Sequence, residues 1–424
     1  MSTNPAGLPL LRSALIWSLL LVGAAGCADI KPRSVPPPAG VMTGIDVLEA
    51  EGFQPLQGLR VGLITNHSGR DAKGRLTAEI LAGAPGVSLA AIFSPEHGFL
   101  GRAEAGQSVD SSAVRLNGRA VPLFSLYSGS LAGMRPRPED LKGLDILVFD
   151  MQDIGARFYT YLTTMGMALE AAAQAGIPFL VLDRPDPING ATVEGPLLAD
   201  MELRKATAVA YFPVPIRHGL TAGEMARLHN ASVRHPGLRV IRMRGWSRGM
   251  WYDQTGLPWT PPSPNMPNLE AAALYPGTGL FEASNLSVGR GTPHPFTWLG
   301  APWLDAPRLA QAMNAALLDG VTFTAQEYTP AKAPFAGEPC PGILMTITDR
   351  NALRPLAVFQ KLSQALRELH PEEFRWQWDF LQKLSGTAEL QRIYERDGDP
   401  VKIQDLFNRD VEGFERSRRP YLLY

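Results

Sequence analysis

Short apolar runs and longer stretches of helical period alternate along residues 41–250. The clearest run lies at 146–149, and its length and β-branched residues are typical of a strand buried on both faces of a parallel sheet. Polar residues follow at once, and an apolar pattern of helical period then continues to Gly176. A strand, a polar loop and a helix in this order make half of a βαβ unit and predict an α/β fold.

The same alternation predicts the other elements of a domain at 41–250. We expect strands at 59–65, 87–93, 145–149, 178–182 and 239–243, and helices at 76–84, 161–175 and 222–231. The last of these helices begins with the capping box Thr221 to Glu224. Alternating strands and helices indicate a parallel, doubly wound sheet.

A smaller α+β domain is predicted at 251–424. The stretch at 256–302 is rich in proline and aromatic residues. A loop region of this length is usually functional, so we interpret it as the floor or rim of a cleft between the two domains. Further on, the pattern predicts helices at 307–318 and 355–369, a strand at 342–347, and short helices to the C-terminus.

Polar side chains follow four of the predicted strands at their carboxyl ends. They are Asn66 and His67, Glu96 and His97, Asp150, Gln152 and Asp153, and Asp183 and Arg184. Because ligands of open α/β sheets bind outside the carboxyl ends of the strands, these residues predict a site at one edge of the sheet. No glycine-rich nucleotide loop follows the first strand, so a nucleotide ligand is not indicated.

Five loop carboxylates are candidates for chemistry: Glu96, Asp150, Asp153, Glu194 and Glu282. Glycoside hydrolysis needs two carboxyl groups that flank the scissile bond. For Asp150 and Glu194 we favour a cap or an ion pair with a neighbouring arginine. For Glu96 we favour catalysis, because it lies between Pro95 and His97 at the carboxyl end of a strand, where it meets a ligand.

A metal site is the alternative use of the same region. His67, His97 and His218 with Asp150 or Asp153 offer suitable ligand types. These residues lack the spacing of a metal-binding motif, and the chain contains no GxSxG elbow for a serine nucleophile. We therefore favour a site without metal and keep the metal site as the alternative.

The N-terminus has the pattern of an export signal. After Arg12, an apolar run at 14–25 has the length of a signal-peptide core, and it ends in the sequence AAGC at 24–27. This ending resembles the lipobox of bacterial lipoproteins, although Ala24 stands where leucine is usual. Ordinary cleavage nearby is the alternative.

We predict a signal peptide at 1–27, a lipid-modified Cys27, and a proline-rich tether at 28–40 that anchors the protein to the membrane in the periplasm or cell envelope. Cys340 is the other cysteine, so no internal disulfide is expected in the mature chain. The net charge of -1 offers no basic surface for nucleic acid.

Eight segments, in order along the chain, resemble one known family. They are GLITNHSGRD (62–71), IFSPEHGFLG (92–101), FDMQDIGARFYTYLTTM (149–165), VLDRPDPINGATVEGP (181–196), PIRHGLTAGEMA (215–226), PSPNMPN (262–268), YPGTGLFEASNLSVGRGTPHPF (275–296) and YLLY (421–424). The family is that of the NamZ-type exo-β-N-acetylmuramidases, formerly a bacterial domain of unknown function. The resemblance extends over residues 41–424.

The resemblance implies a Rossmann-like catalytic domain followed by a smaller domain. It also implies release of N-acetylmuramic acid from the non-reducing end of peptidoglycan fragments, without metal or organic cofactor. The family's glutamate in its SPEHG motif falls on Glu96, its QD-GARFYTY segment falls on 152–161, and its glutamate before the segment ending in GRGT falls on Glu282. Ser284 replaces the family's usual threonine.

From these matches we expect Glu96 to act as general acid and base. Asp153 or Glu282 would orient the acetamido group or serve as the second carboxylate, and Tyr159 and His97 would tune them. The alternative function is a non-catalytic lipoprotein that binds cell-wall fragments. Clustered carboxylates favour the enzyme, because a sugar-binding module relies on aromatic platforms and amides.

Eight further residues are predicted to contact the muramyl saccharide: Asn66, His67, Gln152, Arg157, Asp183, Arg184, Asn285 and Arg290. Muramic acid differs from glucosamine by a lactyl carboxylate, and an arginine fork suits a carboxylate best. Arg157 and Arg290 lie in the two richest loops and are the candidates for this contact.

Overall fold

The computed structural model describes Met1 and residues 40–101, 112–127 and 130–424. The predicted signal peptide and tether, including Cys27, lie outside the described residues apart from Met1 and Gly40. Among the described residues, no helix is long and apolar enough to cross a membrane. Export and lipid anchoring therefore stay predictions.

In the described part of the chain, seven strands form the larger sheet: β1 (Arg60–Thr65), β2 (Ser88–Ser94), β3 (Ser112–Leu116), β4 (Arg119–Ser125), β5 (Ile146–Asp150), β6 (Phe179–Leu182) and β7 (Leu238–Ile241). Their order is β3-β4-β2-β1-β5-β6-β7, with β3 antiparallel to β4 and the other pairs parallel. The parallel strands thus follow the Rossmann order 3-2-1-4-5-6, which reverses between β1 and β5. The predicted doubly wound sheet is confirmed.

The described residues also form twelve α-helices: α1 (Gly44–Ala50), α2 (Thr77–Gly83), α3 (Tyr161–Ala175), α4 (Leu203–Ala206), α5 (Ala222–Val233), α6 (Leu269–Thr278), α7 (Ala306–Ala315), α8 (Pro355–Leu369), α9 (Trp378–Ser385), α10 (Glu389–Arg396), α11 (Pro400–Asn408) and α12 (Val411–Arg418). Side chains of β5 alternate between two cores. Ile146 and Val148 pack with α1 and α2, and Leu147 and Phe149 pack with α3 and α5. Because helices cover both faces, the central strands are apolar except at their ends.

The predicted elements of the sheet domain are confirmed with small shifts at their ends. The helix predicted at 161–175 is α3, and the strand predicted at 239–243 is β7, which ends two residues earlier. The capping box of α5 is also present. Glu224 N donates to the Thr221 hydroxyl at 3.2 Å, and Thr221 N donates to the Glu224 carboxylate at 3.0 Å.

The hairpin of β3 and β4 is not among the predicted elements, although its signal is in the sequence. Asn117 and Gly118 connect the two strands with φ values of 49° and 79°. An Asn-Gly pair is favoured in such two-residue turns because both positions need positive φ. The hairpin adds one antiparallel strand to the edge of the parallel sheet.

A second, antiparallel sheet lies in the region predicted as α+β. Its strands are β8 (Trp298–Gly300), β9 (Val321–Tyr328) and β10 (Cys340–Ile347), in the order β8-β10-β9. The strand predicted at 342–347 is confirmed as β10, whereas β8 and β9 are not predicted. The core around α3 continues into this region through Phe281 and Phe359. The boundary at residue 250 stays a prediction.

The stretch predicted as loop at 256–302 contains α6 and β8, so that prediction is wrong for these two elements. Asn268 caps this helix, since its side chain accepts a hydrogen bond from Ala271 N at 2.9 Å. Pro276 lies inside the helix near its end. In the sequence this proline indicates a break, but packing of the apolar segment against α8 keeps it helical.

Candidate active site

A cavity of about 410 Å³ lies beyond the carboxyl ends of β2, β4 and β5. We call it the Glu96 cavity. Its polar and aromatic lining includes Glu96, His97, Thr160, Ser263, Glu282, Arg290, Phe158, Tyr159, Tyr161, Tyr275 and Phe296. These residues come from segments far apart in sequence, so folding brings together what no single motif contains.

Glu96 reaches this cavity from the loop that follows β2. Its Oε2 accepts a hydrogen bond from the Thr160 hydroxyl at 2.8 Å. Thr160 is the N-cap residue of α3, but its side chain makes no capping hydrogen bond. A hydroxyl that helix capping normally uses is therefore committed to orienting the carboxylate of Glu96.

The turn after Glu96 is built from residues in the left-handed backbone region. His97 has a φ of 70°, and Gly98 and Gly101 have φ values of 72° and 68°. A Cβ at Gly101 would overlap the ring of His67, whose Nε2 lies 2.7 Å from the carbonyl oxygen of Pro261. The backbone of this turn therefore packs closely against His67.

Glu282 enters the cavity from the 3₁₀ turn Gly279–Ala283 after α6. Its carboxylate accepts a hydrogen bond from Arg290 Nε at 2.6 Å, and the guanidinium lies 5.0 Å from the ring centroid of Phe296. Burial lowers the pKa of Arg290, but the charge of Glu282 outweighs it, with help from Glu96, so the pKa is raised. Arg290 therefore stays charged beside both carboxylates.

Three tyrosines form the floor of the cavity. The ring centroid of Tyr159 lies 4.9 Å from that of Tyr161 and 6.2 Å from that of Tyr275, in edge-on contacts. The Tyr159 hydroxyl is buried near Ser263 and makes no hydrogen bond of good geometry among the described residues. Burial raises the pKa of Tyr159 well above its usual range, so the cavity holds a neutral, unpaired hydroxyl donor.

Asp153, the other candidate for the second carboxylate, does not line the Glu96 cavity. Its Oδ2 accepts a hydrogen bond from Gly155 N at 2.7 Å and lies 3.8 Å from His218 Nε2. Burial and the nearby Asp186 raise the pKa of Asp153 to about 8, and burial raises the pKa of Asp186 to about 7. The structure therefore places Asp153 outside the cavity that Glu96 lines, and its catalytic role stays a prediction.

His218 is neutral in this buried cluster. Leu220 N donates to its Nδ1 at 3.1 Å, so the ring proton is on Nε2 and points toward Asp153. Burial lowers the pKa of His218 to about 3. The cluster of Asp153, Asp186 and His218 is therefore electrically neutral when both carboxyls carry a proton.

Arg157 lies away from the Glu96 cavity, and the hypothesis that it binds substrate finds no support in this position. Its guanidinium donates to the carbonyl oxygens of Pro196, Val214 and Leu384 at 2.8 to 3.0 Å. Burial lowers the pKa of Arg157 to about 9. The side chain therefore joins two regions of the chain.

The residues after β6 also have structural partners. Arg184 forms a buried ion pair with Asp150, which confirms the interpretation of Asp150 as a paired carboxylate. Asp183 accepts hydrogen bonds from Thr221 Oγ1 and Gly223 N, both at 2.8 Å. Both side chains therefore have structural partners inside the protein, and their substrate contacts stay predictions.

Glu194 forms an ion pair with Arg217 at 2.7 Å, as expected from the sequence. Like Asp150, it is an ion-paired carboxylate that does not line the Glu96 cavity.

Three further predicted contacts hold loops in place instead of lining the cavity. The side-chain oxygen of Asn66 accepts from Ser68 N and Ser68 Oγ at 2.9 and 2.6 Å. Gln152 Nε2 donates to the carbonyl oxygens of Asp153 and Pro185. Asn285 bonds the backbone of Glu373 and Arg375, both at 2.8 Å.

Thr160, Ser263, Tyr161 and Tyr275 line the cavity and are not among the predicted site residues. All four lie inside segments that resemble the family, so the segment signal is present in the sequence. The role of each side chain depends on contacts between segments, such as the hydrogen bond from the Tyr161 hydroxyl to the carbonyl oxygen of Pro262 at 2.6 Å.

In the part of the chain that the structure describes, no group of three or more His, Cys, Asp or Glu residues is placed to hold a metal ion. Asp150, one proposed ligand, is committed to Arg184. His67 and His218 have ring nitrogens placed against the Pro261 carbonyl and the Leu220 amide.

The chain combines a Rossmann-like sheet, a second antiparallel sheet, and an aromatic cavity that holds two glutamates, the pair of groups that an α/β glycoside hydrolase requires.

Comparison with known families identifies it more closely. Family models described as exo-beta-N-acetylmuramidase NamZ, N-terminal and C-terminal, match residues 61–270 and 273–424. The chain belongs to the NamZ family of exo-β-N-acetylmuramidases, as its motifs predict.

Individual relatives agree with this assignment. The peptidoglycan beta-N-acetylmuramidase NamZ of Bacillus subtilis strain 168 is 38% identical over 416 residues, which cover 97% of this chain and 99% of the relative. Two crystal structures of DUF1343 family proteins from Bacteroides fragilis NCTC 9343 are also similar. Their TM-scores are 0.82 and 0.68 at 35% and 31% identity, and each match covers 91% of this chain and 99% of the other.

Proposed function

We propose that this protein is an exo-acting glycoside hydrolase that releases N-acetylmuramic acid from the non-reducing ends of peptidoglycan fragments in cell-wall turnover. The observation that carries the proposal is that Glu96 and Glu282 line one cavity. Two carboxyl groups on either side of the scissile bond are what glycoside hydrolysis requires. The relationship to the Bacillus subtilis enzyme supports the choice of sugar.

Glu96 is the proton donor to the leaving oxygen. It follows β2 within two residues, and the Thr160 hydroxyl orients one of its oxygens. A carboxyl group that is oriented by a hydrogen bond close to the end of a strand stays within reach of a bound substrate, and general acid catalysis depends on that distance. His97 lies beside it, with its ring 6.5 Å from that of Tyr161.

Glu282 is the second carboxylate, and Arg290 connects it to the substrate. Arg290 uses Nε to hold Glu282, and no other acceptor among the described residues contacts the guanidinium. Its terminal nitrogens therefore remain donors for the lactyl carboxylate of muramic acid. The unpaired hydroxyl of Tyr159 is a donor for the acetamido oxygen.

The alternative function is binding of cell-wall fragments without catalysis. The aromatic floor of the cavity is the observation that favours this alternative. A chromogenic β-N-acetylmuraminide separates the two functions. Release of the chromophore at a rate proportional to protein concentration is the result expected for the enzyme. Saturable binding of the same compound without any release would overturn the proposal and leave a cell-wall-fragment-binding protein.

We also propose that the protein is exported to the cell envelope and anchored by lipid at Cys27. The support is the apolar run at 14–25 and the AAGC ending. Fractionation of cells that express the wild type or Cys27→Ser tests it, because only the wild type should partition with membranes and take up labelled fatty acid. Equal amounts of both in the soluble fraction would rule out lipidation and leave the hydrolase assignment unchanged.

A further inference from the structure

A second groove, of about 550 Å³, lies in the C-terminal part of the chain and shares no lining residue with the Glu96 cavity. We call it the Trp378 groove. Its aromatic lining is Phe374, Trp376, Trp378 and Tyr394. None of these residues takes part in the proposed reaction, so the groove needs its own explanation.

The two tryptophans form a partly exposed aromatic surface. Their ring centroids lie 6.1 Å apart at 40°, and Trp378 lies 5.8 Å from Tyr394. Trp376 stacks on Phe281 at 5.5 Å, so one of its faces belongs to the core. Phe374 and Tyr394 are buried, while both tryptophans remain partly exposed. The indole N–H of Trp376 has no hydrogen-bond partner among the described residues.

The rim of the groove carries both signs of charge. Glu368 accepts a hydrogen bond from Gln364 at 2.9 Å, and Asp397 accepts one from Lys402 at 2.6 Å. Arg367 lies over the Tyr394 ring at 4.8 Å. Such a rim offers hydrogen-bond donors and acceptors side by side. Because its charges are of both signs, it gives no net positive potential that would attract an anion. It matches a ligand with many hydroxyl groups, each of which both donates and accepts.

The groove and the Glu96 cavity lie on either side of one segment. Trp378 begins α9 and lines the groove, and Phe380 in the same helix lines the cavity. Backbone hydrogen bonds tie this segment to the loop of Glu282, since Gln377 N donates to the carbonyl oxygen of Ala283 at 2.8 Å. A ligand in the groove therefore sits on a protein segment that also builds the cavity.

We propose that the Trp378 groove is a second glycan-binding site, which holds pyranose rings of the cell-wall chain while the Glu96 cavity acts on its end. A pyranose has an apolar C–H face that packs on an indole ring, and its hydroxyls meet the mixed polar rim. That the bound glycan is a muramyl glycan rests on the proposed function. The aromatic surface and the rim of the groove are independent of that function.

The test uses the full chain and four variants. Trp378→Ala removes the stacking surface, Trp378→Phe keeps part of it, and Glu368→Ala removes a rim acceptor. Glu395→Ala is the matched control, because Glu395 accepts from Gln391 four residues earlier in α10, as Glu368 does from Gln364 in α8, and lies outside the groove. Binding is measured by co-sedimentation with purified peptidoglycan and with glycan chains stripped of peptide.

We expect Trp378→Ala to weaken binding to both preparations at least tenfold, and Trp378→Phe and Glu368→Ala to weaken it a few-fold. Glu395→Ala should bind like the wild type, and all four should hydrolyse the small chromogenic substrate normally. Wild-type binding by Trp378→Ala would overturn the inference. So would loss of binding to intact peptidoglycan alone, which would indicate a peptide site. If Trp378→Ala does not fold, wild-type binding by both of the milder variants is the contrary result.

The two proposals fail separately in these assays. A wild type that does not cleave the chromogenic substrate but binds glycan through Trp378 would refute the proposed hydrolase and keep the groove. A wild type that cleaves it, with binding independent of Trp378, would refute the groove and keep the hydrolase.

Discussion

Glu96 and Glu282 differ from the other loop carboxylates in their surroundings. Asp150 and Glu194 are each held by a buried arginine, and turning toward a ligand would leave that cation unpaired inside the protein. Glu96 accepts a hydrogen bond from the Thr160 hydroxyl at the cavity, and Glu282 pairs with an arginine that lines the same cavity. The partners of each side chain, not its type, separate the catalytic candidates from the structural carboxylates.

Replacing Glu96 by glutamine tests its role as proton donor. Glutamine keeps the shape and can still accept from Thr160, so folding and ligand binding should be nearly unchanged. Turnover of a disaccharide, whose leaving sugar needs a proton, should fall by roughly a hundredfold to ten-thousandfold. A nitrophenyl leaving group barely needs protonation, so its release should fall much less. An equal and severe loss on both substrates would instead make Glu96 the nucleophile or base.

Arg290 is expected to select muramic acid over glucosamine. Arg290→Met removes the donor for the lactyl carboxylate and should lower the ratio of kcat/KM values for the two sugars by about thirtyfold, which corresponds to about 2 kcal/mol. Arg157→Met is the comparison, because Arg157 bonds backbone carbonyls and should affect stability but not the ratio. An unchanged ratio in Arg290→Met would exclude this contact.

Asp153 should make the protein less stable as the pH rises. Its pKa is about 8 in the fold against an ordinary value of 3.8, so between these values the folded state binds more protons than the unfolded chain. The free energy of unfolding therefore decreases with pH through this range and levels off above it.

Asp153→Asn removes this titration and keeps an acceptor for Gly155 N. Denaturant titrations at pH 5 and pH 8 should show a decline for the wild type that is larger by about 1 kcal/mol or more than that of the mutant. Asp186 titrates in the same direction and leaves a smaller decline in both proteins. Parallel pH profiles for the two proteins would contradict this assignment of protons.

At the scale of elements, the C-terminal segment fastens α12 to the parallel sheet. Arg418 donates to the carbonyl oxygens of Gly190, His218 and Gly219, and Leu423 N donates to Glu224 at 2.8 Å. The Tyr424 hydroxyl donates to Asp183 at 2.8 Å. The motif YLLY is thus a structural closure of the fold, since none of its residues lines the Glu96 cavity.

Tyr424→Phe tests this closure. The change removes one hydrogen bond to a buried carboxylate and leaves the Met243 amide without its acceptor. We expect a loss of about 1–3 kcal/mol in the free energy of unfolding, measured by denaturant titration. The kcat of the chromogenic assay at 25 °C should stay within about twofold, because the change is remote from the cavity. A large loss of kcat without loss of stability would indicate a role in the site.

At the scale of the whole molecule, the cavity needs both parts of the chain. Glu96 and Thr160 come from the Rossmann-like region, and Glu282, Arg290 and Phe380 come from the region beyond residue 250. The core around α3 is continuous across the same line. A fragment of residues 41–250 would therefore lack the second carboxylate and expose a large apolar surface to water.

We expect this fragment to be insoluble or inactive when it is expressed alone, with the chain from residue 41 to 424 as the control. Solubility, circular dichroism and the chromogenic assay are the measurements. A soluble, folded fragment that cleaves the substrate would show that the regions are independent and that Glu282 is dispensable.

The alternation of strands and helices in the sheet domain and the family are both readable from the sequence alone, and the role of Glu96 is a prediction from the same source. The period of the apolar residues and the polar residues at strand ends are local properties of the sequence. They predict alternating strands and helices, and this alternation indicates a doubly wound sheet. The sequence also contained the Asn117-Gly118 turn signal, which depends only on neighbouring residues.

Which polar side chains meet in the cavity depends on the folded chain. Arg157 and Arg290 lie in equally polar motifs, but Arg157 is held by the carbonyl oxygens of Pro196 and Leu384, whereas Arg290 lines the cavity. Asp153 and Glu282 differ in the same way. Asp153 is buried near Asp186, whereas Glu282 lies on the turn after α6. These partners are distant in the chain, and side-chain function depends on through-space neighbours that no local pattern contains.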